Sequence, residues 1–600
     1  MKPLAVPLSV RLCTRSLRMR LCFVLFAGLI LAGNAGPSFA QRQLFEPEAT
    51  TVRVEGALAR AKSYMITTSS RVASEAGRAM MAEGGSAVDA AIAAQLVLGL
   101  VEPQSSGLGG GAFLLHWNKE TSSLVTYDGR ETAPATAKPD RFLANGKPMP
   151  FEKAVRSGLS IGTPGLVRLL KTVHEKHGKL AWARLFEPAI RIAKEGFTVT
   201  PRLYLLLRIT GPEAFDAAGR RYFFDESGAP RSAGTVIKNP DYAATLKTIA
   251  EKGPDAFYSG RVAEQVLAAV AHAPNVAGDL SAADLAAYKV EVREPVCATY
   301  RVYKVCGMGP PSSGGIAIAQ ILTLLEPFDL GRMSDGRMPP EGVHLILEAE
   351  KLAYADRGRF LADPAFVSIP AGLTDPAYLA DRRKLINPAK SMPPPPPGLP
   401  PGVAKRAFGA NATLETTGTS HLSVIDADGN AVAMTTTIEG VFGSGVMAAG
   451  FLLNNELTDF SFLPTDAEGQ PIANRVEAGK RPRSTMSPTI VFDRNGDLFA
   501  VVGSPGGGRI IMFVTKALIG LMDWELDAYQ ASALMNFGSM GEGADLETDW
   551  QSVLTGLRLK SYGHTIRIDL MNSGLNLLAV RDGVIEGGSD PRREGAALGE

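Results

Sequence analysis

The chain has 600 residues, 45% hydrophobic and 20% charged, with 62 basic against 61 acidic side chains. That balance supplies a large core but no field that would hold a polyanion, so nucleic acid is excluded as a partner. The 63 Gly and 40 Pro exceed ordinary usage and call for many tight turns.

Residues 1–40 read as a leader. Lys2, Arg11, Arg15, Arg18 and Arg20 precede the apolar run LCFVLFAGLILAG (21–33), and the small-residue site PSFA ends at Ala40. The run is shorter than the roughly 20 residues a membrane-spanning helix needs. A cut after Ala40 is expected, with export to the periplasm or the exterior and no membrane attachment afterwards. No twin Arg precedes the run, and neither Cys13 nor Cys22 lies in a lipid-attachment context.

VASEAGRAMMAEGGSAVDAAIAAQLVLGLVEP (72–103) has Ala and Leu at helical spacing and predicts two packed helices broken at Gly84-Gly85. The Gly-rich stretch after it leads into a strand. Helices are expected at 164–177, 181–195, 241–252, 260–272 and 341–362, and strands return after about 292. In VCATYRVYKVC (296–306) a two-residue turn at Arg301-Val302 would set Cys297 across a hairpin from Cys306. A disulfide suits an oxidising compartment; two separate buried thiols are the alternative. SMPPPPPGLPPGVAKRAFGANATLETTG (391–418) is neither helix nor central strand, because proline lacks the amide donor, and it reads as a mobile surface tether. HLSVIDADGNAVAMTTTI and SPTIVFDRNGDLFAVVGS each form a hairpin, about DADGN and DRNG. Helices near 510–537 and 547–559 and a last pair of strands follow. No second linker divides the chain.

Several motifs fail their own test. GLGGGA (107–112) lies between a helix and a strand, the reverse of a dinucleotide fingerprint. GSPGGGR (503–509) lacks the Lys and Ser/Thr of a phosphate loop, though its amides remain available to an oxygen. DADGN and DRNGD lack the later Glu of a calcium loop. His174 and His177, three apart among charged neighbours, suit a solvated helix face better than a metal site. There is no G-x-S-x-G elbow, and of seven His only His421 lies close to a candidate strand, which disfavours a Ser or Cys hydrolase.

A nucleophile that needs no His is a Thr whose own α-amine serves as base once the preceding peptide bond is cut. Such an amine titrates at about 7.7–8.0, so much of it accepts protons near neutrality. Gly418-Thr419, at the end of the Pro-rich segment and the start of a strand, meets that requirement.

The blocks from VASEAGRAMM through DGRETAP, GPPSSGG, TSHLSVIDADGNAVAMTTTIEGVFGSG, GFLLNNELTDFS, KRPRSTMSPTIV and GSPGGGRII to GGSDPRREG cover nearly all of the chain after the leader, and it resembles the γ-glutamyltransferases, also called glutathione hydrolases. They are N-terminal-nucleophile hydrolases. The resemblance implies an α+β fold, a four-layer αββα sandwich, and a proenzyme that cuts itself between Gly418 and Thr419. A large subunit 41–418 and a small subunit 419–600 would stay together as a heterodimer. It implies Thr419 as nucleophile, Thr437 as the group orienting it, and Gly506 and Gly507 as amide donors to the oxyanion. Arg130 with Ser484 and Thr485 would hold the donor's α-carboxylate, and Glu456 and Asp459 its α-ammonium. Glutathione or another γ-glutamyl compound would be the donor and water, an amino acid or a peptide the acceptor, with no cofactor and no metal.

Four departures from the family pattern stand out. Glu439 occupies a position where many relatives have Asn and adds a third acid at the ammonium site. Ser420 follows the nucleophile, and Thr485 stands where Ser is usual. The segment 462–479 lacks a lid Tyr and looks short, which predicts an open pocket. The rival activities are a cephalosporin (glutaryl) acylase on the same scaffold and a non-catalytic periplasmic binding protein.

Overall fold

Two antiparallel seven-stranded sheets, packed face to face, position everything that follows. The computed structural model of the protein describes Val54 and residues 56–403, 408–409, 411 and 418–600. The leader, its expected cut after Ala40 and most of the end of the Pro-rich segment lie outside the described residues.

The first sheet runs in the order Ala596–Gly599, Met65–Thr68, Thr419–Ile425, Ala431–Thr437, Gly111–Asn118, Ser123–Gly129 and Glu291–Arg293. The second runs Ala59–Ala61, Val584–Ser589, Asn576–Arg581, Leu498–Gly503, Thr489–Phe492, Tyr303–Gly307 and Val296–Tyr300. Both expected hairpins form, Thr419–Ile425 with Ala431–Thr437 and Thr489–Phe492 with Leu498–Gly503.

Successive strand residues point to opposite faces, and the central hairpin uses both. Leu422, Val424, Val432 and Met434 enter a core with the helix Ala87–Val101. Ile425, Ala431 and Ala433 enter the core shared with the second sheet and the helices Gly314–Leu325, Pro340–Phe360 and Ile510–Met522. The result is helix, sheet, sheet, helix: an αββα sandwich. Ala87–Val101 is buried at every position, which explains its lack of a polar stripe, and a capping box of Ser86 and Asp89 starts it.

The two helices expected in 72–103 are Arg71–Ala82 and Ala87–Val101. The helix expected over 510–537 is two, Ile510–Met522 and Ala528–Ala533; the chain turns at Glu525, whose φ is 52°, and Asp527 caps the second. The 181–195 stretch starts as a 3-10 turn and becomes α-helical only from Glu187, where Pro188 fits the first turn. His174 and His177 are not on a solvated face. His177 bonds the Tyr127 hydroxyl at 2.7 Å and stacks on His116, and His174 bonds the Leu180 carbonyl.

A buried polar chain fixes the entry to the Pro-rich segment. Lys351 donates to Ser391 and Glu348, Ser391 contacts His564, His564 bonds His344 at 2.7 Å, and His344 bonds the Asn387 carbonyl. From Ser391 to Val403 the chain has no regular structure beyond a turn at Pro401-Gly402, as its prolines require.

Cys297 and Cys306 face each other across the hairpin turned at Arg301-Val302 and are disulfide-bonded. Arg301 takes the left-handed conformation, with φ of 54°, that such a turn needs. The denatured, unreduced protein starting at Gln41 will give no titratable thiol, and replacing both Cys by Ser will lower unfolding stability by roughly 2 kcal/mol in chemical denaturation.

Candidate active site

Thr419 is the first residue of its strand and pairs in register with Thr437, the last residue of the neighbouring one. Alternation places Thr419, His421 and Ser423 toward the gap between the sheets, where Ser423 donates to the Asn576 carbonyl of the second sheet. The Thr437 hydroxyl donates to the Gly418 carbonyl at 2.5 Å, receives the Glu439 N–H at 2.7 Å and lies 3.4 Å from the Thr419 hydroxyl. A single hydroxyl thus contacts both the carbonyl that precedes Thr419 and the Thr419 side-chain oxygen. Gly418 has no room for a side chain: an added Cβ would sit 2.3 Å from the Glu439 carbonyl oxygen.

His421 is no general base. It is buried between Thr435 at 2.8 Å and Ser423 at 3.0 Å, and burial holds its pKa down to about 3. Gly503 lies over the ring, with an added Cβ only 2.2 Å away, so the loop from the second sheet comes down close to the nucleophile strand.

That loop is Ser504–Gly508. Gly506 and Gly507 both have positive φ, 141° and 53°, and begin a 3-10 turn leading into Ile510–Met522. Among the described residues neither of their amides donates a turn or loop hydrogen bond to the backbone. The Thr485 hydroxyl donates to the Gly507 carbonyl at 2.7 Å and Tyr354 donates to the Gly508 carbonyl at 2.6 Å. Thr485 therefore braces the loop that carries Gly506 and Gly507, its proton already committed. Ser484 accepts from the Met486 N–H through its hydroxyl oxygen.

Arg130 is fully buried. Its guanidinium pairs with Glu456 and, at 2.5 Å, with Asp459, and donates to the carbonyls of Pro482 and Arg483. Burial alone would lower its pKa; Glu456 and Asp459 more than reverse that. Burial drives the Glu456 carboxyl well above the usual range, and Arg130 only partly offsets it. Glu439 also takes a left-handed φ, 75°, and receives a hydrogen bond from Asn455, whose carbonyl oxygen binds the Gly440 N–H. The predicted guanidinium and acids do come together, and in this structure they are paired with one another.

Three residues were missed. Glu131 stands in the quoted DGRETAP block, is fully buried and presses against Gly111, the residue paired with Thr437. Burial pushes it up to about 7 against the pull of Arg130. Glu102 accepts from the Ser420 hydroxyl at 3.0 Å on the helical side of the strand. Asn455 was read only as part of LLNNELTDFS. A charge on an apolar helix end, as at Glu102, was the one signal available. In the segment 462–479, Phe462 stacks on Phe142 and Phe151, and Asn474 donates to the Asp459 carbonyl and accepts from the Arg483 N–H.

Among the described residues, His344, Glu348 and His564 converge closely enough to suggest a metal. Lys351 already donates to Glu348 at 2.7 Å and the two imidazoles bond each other, so the set works as the clamp described above.

A strand that opens on a hydroxyl residue in one of two face-to-face antiparallel sheets, with helices outside and a second hydroxyl in register beside it, is the arrangement of an N-terminal-nucleophile hydrolase. The family profile described as Gamma-glutamyltranspeptidase matches residues 73–600, and the chain belongs to that family. It is 37% identical over 543 residues to the glutathione hydrolase proenzyme of Escherichia coli strain K12, covering 89% of this chain and 91% of the relative. Among solved structures it is similar to a cephalosporin acylase from Bacillus halodurans, with TM-score 0.79 and 27% identity over 93% of this chain and 99% of that one. It is also similar to Helicobacter pylori γ-glutamyltranspeptidase, with TM-score 0.51 and 33% identity over 54% and 91%.

Gly418→Ala will leave the chain uncut, seen as one species by intact mass, because the methyl group collides with backbone that no rotamer change can move. The acid cluster sets a second expectation. A ligand ammonium favours ionised carboxylates, and a group with its pKa near 7 gains charge as pH rises. KM for a cationic donor will therefore fall as pH rises through about 7, and Glu131→Gln will flatten that limb in initial-rate profiles while leaving the kcat profile in place.

Proposed function

We propose that the protein is an exported, self-processing γ-glutamyl hydrolase and transferase in which Thr419 is first the agent of its own release and then the nucleophile. The observation that carries this reading is the Thr437 hydroxyl bonded to the Gly418 carbonyl and next to the Thr419 hydroxyl. Thr419 Oγ adds to the Gly418 carbonyl carbon, Thr437 stabilises the oxyanion, and the C–N bond breaks as the Thr419 nitrogen takes a proton. Water then hydrolyses the ester. The products are a large subunit 41–418 ending in the Gly418 carboxylate and a small subunit 419–600 that begins with a free amine.

Thr419 Oγ next attacks the γ-carbonyl of glutathione or a related amide. Its own α-amine accepts the hydroxyl proton and passes it to the leaving amine, and the Gly506 and Gly507 amides hold the developing oxyanion. Water or an amino acid or peptide amine resolves the γ-glutamyl ester. The chemistry uses no metal and no organic cofactor.

Donor choice follows from charge. Arg130 with Ser484 receives an α-carboxylate, while Glu456 and Asp459, with Glu439 nearby, receive an α-ammonium. A zwitterionic γ-glutamyl head replaces the internal pairs of Arg130 one for one. A glutaryl group supplies only the carboxylate and leaves buried acids without a cation, which disfavours the acylase reading. The processing geometry around Gly418 argues against a non-catalytic binding protein.

Intact mass of the purified protein will show two chains meeting at Gly418 and Thr419, and Thr419→Ala will show one. On processed enzyme, kcat/KM for γ-glutamyl anilide will exceed that for glutaryl anilide by at least about a hundredfold, corresponding to one unpaired buried charge. Equal rates on the two anilides would reject the donor assignment and leave the nucleophile standing.

A further inference from the structure

Helix Trp550–Ser561 is amphipathic in the wrong sense. Its buried positions include Ser552, Thr555 and Gly556, while Trp550 is 58%, Val553 46%, Leu554 53% and Leu557 62% exposed. These four recur at i, i+3, i+4 and i+7 and so form one stripe. The helix backs onto the small sheet of Phe537–Gly538, Ala544–Glu547 and Ile566–Asp569, where Gly556 leaves room for Leu546 and Ile566. Thr548 donates to the Asp569 carbonyl, which ties the end of that sheet to the helix's first turn and brings Ile568, 47% exposed, beside the stripe. The patch presents roughly 400 Å² of apolar side chain, within the range of the largest patch on a typical monomer and often functional there. It lies in a different layer from the pocket and plays no part in the chemistry above.

We propose that this face joins two copies of the protein in a twofold dimer, the Trp550–Ser561 helices packed antiparallel. A stripe centred between Val553 and Leu554 is self-complementary under a twofold axis and sets Trp550 of one copy against Leu557 of the other. The same crossing brings Arg558 of the basic last turn onto Asp549, the N-cap of the partner copy's helix, and opposes the helix dipoles. Two such patches bury about 800 Å² of apolar side chain before any rim is counted, and a rim of ordinary width reaches the 1,200–2,000 Å² of a stable interface. The rim mixes signs, Glu341, Asp549 and Asp569 with Arg558 and Lys560, which suits a second copy better than an anionic lipid surface.

Sedimentation velocity of the purified, processed protein over the micromolar range tests this. The wild type will sediment at twice the mass of one precursor's worth of chain. Leu557→Glu will raise the dimer dissociation constant by at least about a hundredfold, with anilide hydrolysis unchanged. Arg558→Asp will weaken the dimer more modestly. A wild type that stays a single unit at the highest concentration, or a Leu557→Glu protein that stays dimeric, would overturn the proposal. Flotation of a monomeric wild type with phospholipid vesicles, lost in Leu557→Glu, would also overturn it and make lipid the occupant.

Discussion

Everything at the site hangs on the hydroxyl of Thr437. It holds the Gly418 carbonyl, receives the Glu439 amide and reaches the Thr419 hydroxyl, so three groups from two backbone segments meet on one oxygen. That meeting requires the register Thr419 with Thr437, and the register is set by the core. A slip of one residue would send Leu422, Val424, Val432 and Met434 into the gap between the sheets and the hydroxyls into the helical layer. Catalytic alignment and hydrophobic burial are thus enforced by the same alternation.

The charges around Arg130 are governed by balance in a dry environment. Arg130 is too deeply buried to stand unpaired, and Glu456 and Asp459 pair with it. On the proposed function, a ligand that brings both a carboxylate and an ammonium would exchange one set of pairs for another at little electrostatic cost. Glu131 and Glu439 tilt the balance further toward cationic ligands, with Glu131 poised to gain or lose its proton near neutrality. The Thr485 hydroxyl, by donating to the Gly507 carbonyl, braces the loop that carries Gly506 and Gly507.

Much of this was legible beforehand. The strand and hairpin signals were strong because strict alternation runs the length of HLSVIDADGNAVAMTTTI, and VCATYRVYKVC announced its own pairing through symmetry about Arg301-Val302. The family blocks brought Thr419, Thr437, Arg130, Glu456 and Asp459 together, residues no periodicity would have connected. What escaped notice had physical reasons. Glu131 follows Arg130 directly, and a neighbour of a functional residue in an extended chain is expected on the opposite side; the chain turns after Gly129, so both end in the same region. The break at Glu525 is invisible to hydrophobic periodicity because both flanking helices are buried. The pairing of Arg130 with Glu456 and Asp459 joins residues more than 300 positions apart, which no local residue pattern encodes.

The order of strands carries a consequence for how such a protein is made. In the first sheet the hairpin Thr419–Thr437 lies between Met65–Thr68 and Gly111–Asn118, and beyond Met65–Thr68 lies the C-terminal strand Ala596–Gly599. The segments before and after Gly418 are therefore interleaved like the teeth of a closed zipper. Either piece alone would expose bare strand edges on both sides of a missing neighbour. A cut at Gly418 consequently frees an end without freeing a partner, and two separately synthesised pieces would face an assembly problem that the continuous chain never meets. On the proposed processing, the Gly418–Thr419 bond would serve assembly first and be expendable only afterwards, so the precursor would be a scaffold with a single, one-way use.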